Sequence, residues 1–288
     1  MRGPVTRKLA IGLAQMGSPP GDACDNRSQT ARVAKLMFEQ GAELIVLPEL
    51  ALPWYTVDPM HLARLAEPLK GPTVEAWTSV AADHSGVIVG GFCERDDEAL
   101  YNTAVVVDRT GVIGHYRKLH LFAGEKVSFT PGDLGLPIVE TPVGRLGLCI
   151  CYDLRFVEVV RVLALSGAEL ICVPSAWITG FDADQWDADG FCPQAHGAVL
   201  QAKLSQVFIA CASQVGDHSG FRFLGSSVVV DSFGTVVAGP LSGKRNEFRV
   251  VTVDLDDVDH AKARGSSITP RADRRTDVYG LAYGGSLL

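Results

Sequence analysis

Short apolar runs alternate along the chain with longer stretches whose apolar residues recur at helical spacing, and that order predicts the elements. Lys8-Leu-Ala-Ile-Gly-Leu-Ala-Gln15 reads as a strand. Residues 28–40 carry Ala31, Val33, Ala34, Leu36 and Met37 on a helical repeat that stops at Gly41, and Ala42-Glu-Leu-Ile-Val-Leu-Pro-Glu49 follows as a second strand. A helix over 73–84, a strand over 87–92 and a hairpin around Asp108-Arg-Thr-Gly111 come next; the hairpin delivers Gly114-His-Tyr-Arg-Lys-Leu-His-Leu-Phe122. Further on, 146–150 is short enough for a buried strand and 154–166 is helical, with Gly167 as its C-cap. Strands alternating with helices in this way predict an α/β fold.

Two segments recur. Gly41-Ala-Glu-Leu-Ile-Val-Leu-Pro-Glu49 is echoed by Gly167-Ala-Glu-Leu-Ile-Cys-Val-Pro-Ser175, each preceded by a strand and a helix. Val105-Val-Val-Asp-Arg-Thr-Gly111 is echoed by Val228-Val-Val-Asp-Ser-Phe-Gly234, each reading as two strands around an Asp/Gly turn. Two echoes in the same order and context predict two topologically similar halves, in which Glu49 and Ser175 end equivalent strands.

Candidate chemistry gathers at the ends of these runs. Cys151 sits where strand gives way to helix, and backbone N–H groups with the positive end of the helix dipole favour a thiolate there. A cysteine among apolar residues is otherwise a small core hydrophobe, and Cys149 is assigned to that class. Glu49 is either an exposed acid after a strand or a partner of Cys151 in one cleft, because α/β sheets place ligands beyond the carboxyl ends of their strands. Pro48 fixes the backbone just before that carboxylate. Lys118 belongs either to a solvated cationic strand end or, given the apolar residues that follow it, points its ammonium inward. Glu125 lies in the glycine- and proline-punctuated loop 123–132.

Composition narrows the classes. With 288 residues and 47% apolar content the chain suits one large α/β domain, with a tail from about residue 265. A net charge of −7 with the two signs interspersed predicts neither nucleic-acid nor anionic-membrane binding. No apolar stretch is long enough to span a bilayer and no signal-type segment opens the chain, so a soluble cytoplasmic protein is expected. Seven scattered cysteines fit a reducing compartment. Cys149 and Cys151 form a C-x-C with no second ligand cluster, so no metal is expected.

Leu47-Pro-Glu49, Lys118-Leu-His-Leu-Phe122 with Glu125 after it, and Cys151-Tyr-Asp-Leu-Arg-Phe-Val-Glu158 resemble the three successive motifs of the nitrilase superfamily of carbon–nitrogen hydrolases. The resemblance covers most of the chain. It implies a four-layer α-β-β-α sandwich and a Glu-Lys-Cys constellation, with Glu49 as general base, Lys118 and the Tyr152 backbone N–H as oxyanion donors, Cys151 as nucleophile and Glu125 as a positioning acid. It implies neither metal nor organic cofactor.

Departures and neighbours bear on the substrate. The family often has proline where Val157 stands, and an Arg-Ala-x-Glu-Asn pattern where this chain has Gln201-Ala-Lys-Leu-Ser205. Tyr152-Asp153 resembles the amidase and carbamoyl-hydrolase branches; true nitrilases usually carry Trp-Glu there. Pocket walls are expected from Trp54, Tyr55, Tyr152, Phe129 and Trp177. The loop 178–193, with Phe181, Trp186 and Phe191, shapes the acyl pocket or covers a partner subunit. Arg155 binds a substrate carboxylate, as in relatives acting on carbamoyl amino acids, or pairs with a neighbouring acid. The expected function is an amidase releasing acid and ammonia from a small carboxamide. N-carbamoyl amine or amino-acid hydrolysis is the alternative, followed by nitrile hydrolysis, a glutaminase subunit, or a catalytically silent scaffold. A homodimer, or a higher homo-oligomer, is expected through the helix after Cys151 and the tail, because Phe156, Val159, Val160, Val162 and Leu163 cover more of the helix than one buried stripe.

Overall fold

The computed structural model describes residues 6–17, 23–180, 182 and 185–288. In the first half, strands β1 (Lys8–Gln15), β2 (Leu44–Val46), β3 (Val87–Asp96), β4 (Ala99–Asp108) and β5 (Gly111–Arg117) are joined through helices α1 (Ala23–Glu39), α2 (Pro59–Leu65) and α3 (Pro72–His84). A short α4 (Glu125–Ser128) leads to β6 (Ile138–Thr141), β7 (Gly144–Leu148), α5 (Val157–Leu165), β8 (Leu170–Ser175), α6 (Pro193–Ser205) and β9 (Phe208–Ser213). A hairpin of β10 (Val215–His218) and β11 (Phe221–Leu224) precedes β12 (Val228–Val230), β13 (Val236–Ala238), β14 (Glu247–Asp254) and α7 (Asp257–Lys262), and β15 (Ala282–Tyr283) pairs with β16 (Ser286–Leu287) near the C-terminus.

The expected halves are present. One six-stranded sheet runs β14-β1-β2-β3-β4-β5 and the other β13-β12-β9-β8-β7-β6. Read from its β14 or β6 edge, each begins with an antiparallel pair, continues with three parallel strands and finishes with two antiparallel ones. β2 therefore corresponds to β8 and β4 to β12, which are the strands of the two sequence echoes.

Side-chain alternation divides the first sheet's apolar residues between two layers. Leu9, Ile11, Leu13, Leu44, Val46, Val87, Val89, Ala104 and Val106 join the core shared with the second sheet. Their neighbours Ala14, Ile45, Ile88, Val105 and Val107 pack under Val33, Met37, Phe38 and Trp77 of α1 and α3. With α5 and α6 on the far side of the second sheet, the result is the expected four-layer α-β-β-α sandwich. Among the described residues no helix is long and apolar enough to cross a membrane.

Three expectations change. The strand before Cys151 ends at Leu148, and the helix after it begins at Val157, because a 3-10 turn over Cys151–Arg155 intervenes. The Asp153 carboxylate accepts the Ile150 N–H at 2.9 Å, replacing the next ladder bond with a side chain. The apolar circumference of α5 is consumed inside the chain: Val159, Val160, Val162 and Leu163 are all buried, so Val159 offers nothing to a partner. Exposed apolar residues on this side include Val157 of α5, Leu200 and Leu204 of α6, and Tyr279 of the tail beside them. The tail also docks on its own chain, with the Arg271 guanidinium donating to the carbonyls of Ala164 (2.7 Å), Ser205 (2.7 Å) and Gln206 (2.6 Å), where a cation suits the ends of α5 and α6.

Candidate active site

Cys151 opens the 3-10 turn with φ +46°, a left-handed conformation that an L-residue other than glycine adopts at a cost of about 1–2 kcal/mol. Asp153 holds the turn in place. Its fully buried carboxylate accepts from the Ile150 N–H on one side of the cysteine. It also accepts from the Tyr116 hydroxyl at 2.7 Å and from the His120 backbone N–H at 3.1 Å, with the His120 ring nitrogen 2.8 Å away. His120 stacks on Phe156 at 3.6 Å between centroids. One carboxylate thus ties the cysteine turn to the segment that carries Lys118.

Glu49, Lys118 and Glu125 converge on the same place from three elements. Glu49 follows β2, where its backbone N–H reaches the carbonyl of Ser175 at the end of the equivalent strand, 3.3 Å away. Gly91 in β3 permits this approach, since a Cβ there would lie 2.7 Å from the Glu49 Cα. Lys118 extends β5 by one residue, donating its N–H to the Asn102 carbonyl at 2.9 Å. Its Nζ lies 2.6 Å from Glu49 Oε1 and 2.9 Å from Glu125 Oε1, and all three side chains have no exposure. The alternative reading of Lys118 as a solvated strand end is excluded. Glu125 is the first residue of α4, and its Oε2 accepts the Phe122 N–H at 2.8 Å.

These groups set one another's protonation. Burial pushes Glu49 up to about 7, with Glu125 adding to the shift and Lys118 opposing it. Burial alone would lower Lys118, but the carboxylates of Glu125 and Glu49 reverse this and hold its ammonium well above the ordinary value. Burial, and then the charge of Glu49, push the Cys151 thiol well above its usual range, against Lys118 and the Ala176 N–H. The thiolate expected from the helix dipole is therefore not the resting form: a protonated thiol stands with a carboxylate of nearly neutral pKa.

Cys151 opens into a cleft whose space, mouth included, is about 620 Å³. Tyr55, Tyr152 and Trp177 line it as expected from the sequence, joined by Phe122, Leu154 and Ile178, with Arg155 and Gln194 adding polar groups. Phe129 does not line it. That ring is buried behind Tyr55, in a cluster with Leu50, Leu62, Leu121 and Phe223, because α4 turns it inward. Trp54 is likewise packed in the layer under α1 and α3. Burial, and then the Glu125 carboxylate, raise the Tyr55 pKa, so its phenol stays neutral. Arg155 meets Asp182 at 2.6 Å, and Gln194 donates to the same carboxylate at 3.3 Å. In the loop 178–193, Ile178 lines the cleft and Trp186 is anchored by its indole N–H to the Leu224 carbonyl at 2.9 Å. Phe181 lies outside the described residues.

The two departures from the motif pattern fall on supports. Val157 is the exposed first residue of α5, where proline would fit without losing a hydrogen bond. Gln201 is buried and donates to the Leu154 carbonyl, binding α6 to the cysteine turn. Sequence reasoning gave no role to Asn102, whose Nδ2 donates to Glu49 Oε1 at 2.7 Å. Its only signal is an amide in a run that is otherwise strand-forming, Tyr101-Asn-Thr-Ala-Val-Val-Val107.

A double-sheet sandwich with a buried Glu-Lys-Glu cluster beside a cleft cysteine defines the class, and comparison agrees. The carbon-nitrogen hydrolase family profile matches residues 10–263. The chain is 34% identical over 250 residues to a nitrilase of Pyrococcus abyssi, covering 86% of this chain and 90% of that one. It is 33% identical over 257 residues to an (R)-stereoselective amidase of Pseudomonas sp, covering 88% of each. Among solved structures it resembles a glutamate-to-glutamine mutant of the amidase from Nesterenkonia sp. AN1 with TM-score 0.75 and 26% identity, over 96% of this chain and 97% of that one; in that mutant the acetamide moiety of fluoroacetamide is covalently added at the active-site cysteine. The chain belongs to the carbon–nitrogen hydrolase family, the nitrilase superfamily, and is an enzyme of the class that acts on non-peptide C–N bonds.

Proposed function

We propose that the chain hydrolyses a small carboxamide with an apolar acyl group to the carboxylic acid and ammonia. The observation that carries the reading is the Lys118 ammonium held between two buried carboxylates beside a cysteine that opens to the cleft. Glu49 takes the thiol proton as Cys151 Sγ attacks the amide carbon. Lys118 and the Tyr152 backbone N–H receive the developing oxyanion, and Glu125 holds Lys118 in line. The tetrahedral intermediate collapses with the proton passing from Glu49 to the departing ammonia, leaving a thioester on Cys151. Water then attacks, giving its proton to Glu49; collapse expels the thiolate, and that proton returns to sulfur. The acetamide group that fluoroacetamide leaves on the active-site cysteine of the Nesterenkonia amidase variant supports a cysteine as the nucleophile, being an alkylation at sulfur with loss of fluoride.

The cleft supports the apolar acyl group, since Tyr55, Phe122, Leu154, Trp177 and Ile178 offer it ring and aliphatic surface. Asp182 occupies Arg155, which disfavours a carbamoyl amino acid, whose carboxylate would have to displace that acid. An ammonia-release assay across aliphatic and aromatic amides, carbamoyl amino acids and nitriles tests the reading. Amides are expected to lead; release from carbamoyl compounds alone overturns it.

Glu49 must be ionised to accept the thiol proton, so kcat/KM is expected to fall about tenfold per pH unit below an apparent pKa near the value of about 7 to which burial raises this carboxylate. A profile flat from pH 8 to 5 contradicts Glu49 as the base.

A two-fold dimer is proposed through the exposed apolar residues of α5 and α6. Light scattering is expected to give twice the single-chain 30.8 kDa. Leu204→Glu, on residues 52% exposed in the single chain, is expected to return the monomer mass.

A further inference from the structure

Asn102 sits in β4, opposite Cys93 of β3, and its side chain is fully buried. Its Nδ2 lies 2.7 Å from Glu49 Oε1 and 3.4 Å from Glu125 Oε1, the same two oxygens that Lys118 contacts. The orientation of the amide follows from chemistry: turned over, it would set a carbonyl oxygen against two carboxylates. Glu49 Oε1 is thereby committed to two donors, Lys118 Nζ and Asn102 Nδ2, whereas Glu49 Oε2 is buried without a hydrogen-bond partner. A buried carboxylate oxygen without a donor is costly to keep, and here it is the only oxygen of the pair still open to a proton.

Resting on the reading of Glu49 as the general base, we propose that Asn102 is a positioning residue that selects which oxygen of Glu49 does the work. Its amide pins Oε1 against Lys118 and leaves Oε2 for the thiol proton and, later, for the proton of the attacking water. Without that donor Lys118 alone holds the carboxylate, and intermediate settings of its broad, two-fold terminal torsion become accessible in which neither oxygen is held free towards Cys151. The groups that face Glu49 are Lys118 after β5, Glu125 of α4, Cys151 of the 3-10 turn and Tyr55 beyond β2. Of these only Lys118 is a cation, and Asn102 is the second donor to Glu49 Oε1 in a cluster with two carboxylates and one ammonium. Its hydrogen bond also holds the Glu49 pKa down against burial. The Asn102 carbonyl separately receives the Lys118 N–H, a backbone contact that side-chain replacement leaves in place.

The test replaces the side chain with one of similar size and no donor, Asn102→Leu, and with a shorter one that cannot span both acids, Asn102→Ser, which keeps the experiment decisive if leucine is not accommodated. Each is assayed for kcat, KM and the pH dependence of kcat/KM, with thermal melting as the check on folding. A fall in kcat of about 10- to 100-fold with KM within about threefold is expected, together with movement of the acid limb to higher pH. Asn102→Gln, which retains the donor, is expected to recover part of kcat and return the acid limb towards wild type. A folded variant with the wild-type acid limb and kcat overturns the proposal, even if Glu49 is the base. Glu49→Gln separates the two: if it turns over normally, the reading of Glu49 fails, whatever Asn102 does.

Discussion

Cys151→Ala is expected to fold with the wild-type melting temperature and to release no ammonia above the uncatalysed rate. The change removes the only thiol among the described residues that lines the cleft, because the other described cysteines, Cys93, Cys149, Cys172, Cys192 and Cys211, are all buried. It removes little volume, and the turn is held by Asp153 through the backbone N–H of Ile150, a contact that the sulfur does not make. Alanine at φ +46° keeps the same backbone strain as cysteine, so no new penalty arises there. Without a nucleophile, neither the buried Glu49 nor Lys118 can form the thioester. Only residual activation of water by Glu49 remains, and the loss is expected to reach at least about 10⁴-fold in kcat. Mass spectrometry of wild type trapped with a slow amide should place the acyl mass on the peptide containing Cys151 and on no other cysteine. Turnover within tenfold of wild type in Cys151→Ala, or label on Cys149 alone, contradicts the assignment.

Glu49, Lys118, Glu125 and Cys151 were legible because each stands next to a strong local signal: the end of an apolar run, a cation followed by apolar residues, a glycine-marked loop, or a strand giving way to a helix. Their convergence was legible only through the repeated segments, which place equivalent strand ends together, and the Glu49 N–H to Ser175 carbonyl contact is that equivalence realised. What stayed hidden depends on distant geometry. Asn102 acquires its role from the register of β3, β4 and β5, which sets it beside Lys118, and nothing within a few residues of it reports that. A 3-10 turn and the first turn of an α-helix carry nearly the same apolar spacing, so the break at Phe156 between the turn and α5 has no local pattern of its own and depends on the Asp153 carboxylate that holds the turn. The thiol state departs from the sequence expectation for the same reason, since a helix dipole is local whereas burial and the charge of Glu49 arrive from another part of the chain. The excess of apolar residues on α5 was real, but α6 and the second sheet consume it. Phe129 shows the converse: an aromatic residue in a loop near a motif was core.

Lys118→Met is expected to damage stability and activity together, and the two losses have separate causes. Methionine matches the aliphatic stem, so packing is nearly preserved and the effect is electrostatic. Glu49 and Glu125 are left fully buried with no cation, their remaining donors being the Asn102 amide and the Phe122 N–H. Removing one partner from a buried charge cluster typically destabilises by about 3–5 kcal/mol. The sign of the pH dependence follows from Glu49, which burial raises to about 7 even with the lysine present and which rises further without it. A carboxylate whose folded-state pKa lies above its unfolded value binds its proton more tightly in the folded state. Stability is therefore lost as pH rises from the ordinary carboxylate range through the raised value, and regained on acidification. Thermal melts of Lys118→Met should accordingly come nearest to wild type near pH 5 and fall progressively as the pH rises towards and through 7. Lys118→Met combined with Glu125→Gln, which removes one of the two stranded charges, should recover part of the loss at pH 7. Activity should not return in that double variant, because the oxyanion has lost a donor worth about 2.7–4 kcal/mol in barrier height, or roughly 10²- to 10³-fold in kcat. If Lys118→Met melts like wild type at pH 8 and keeps its turnover, the ammonium is neither the counter-charge of the two acids nor the oxyanion donor.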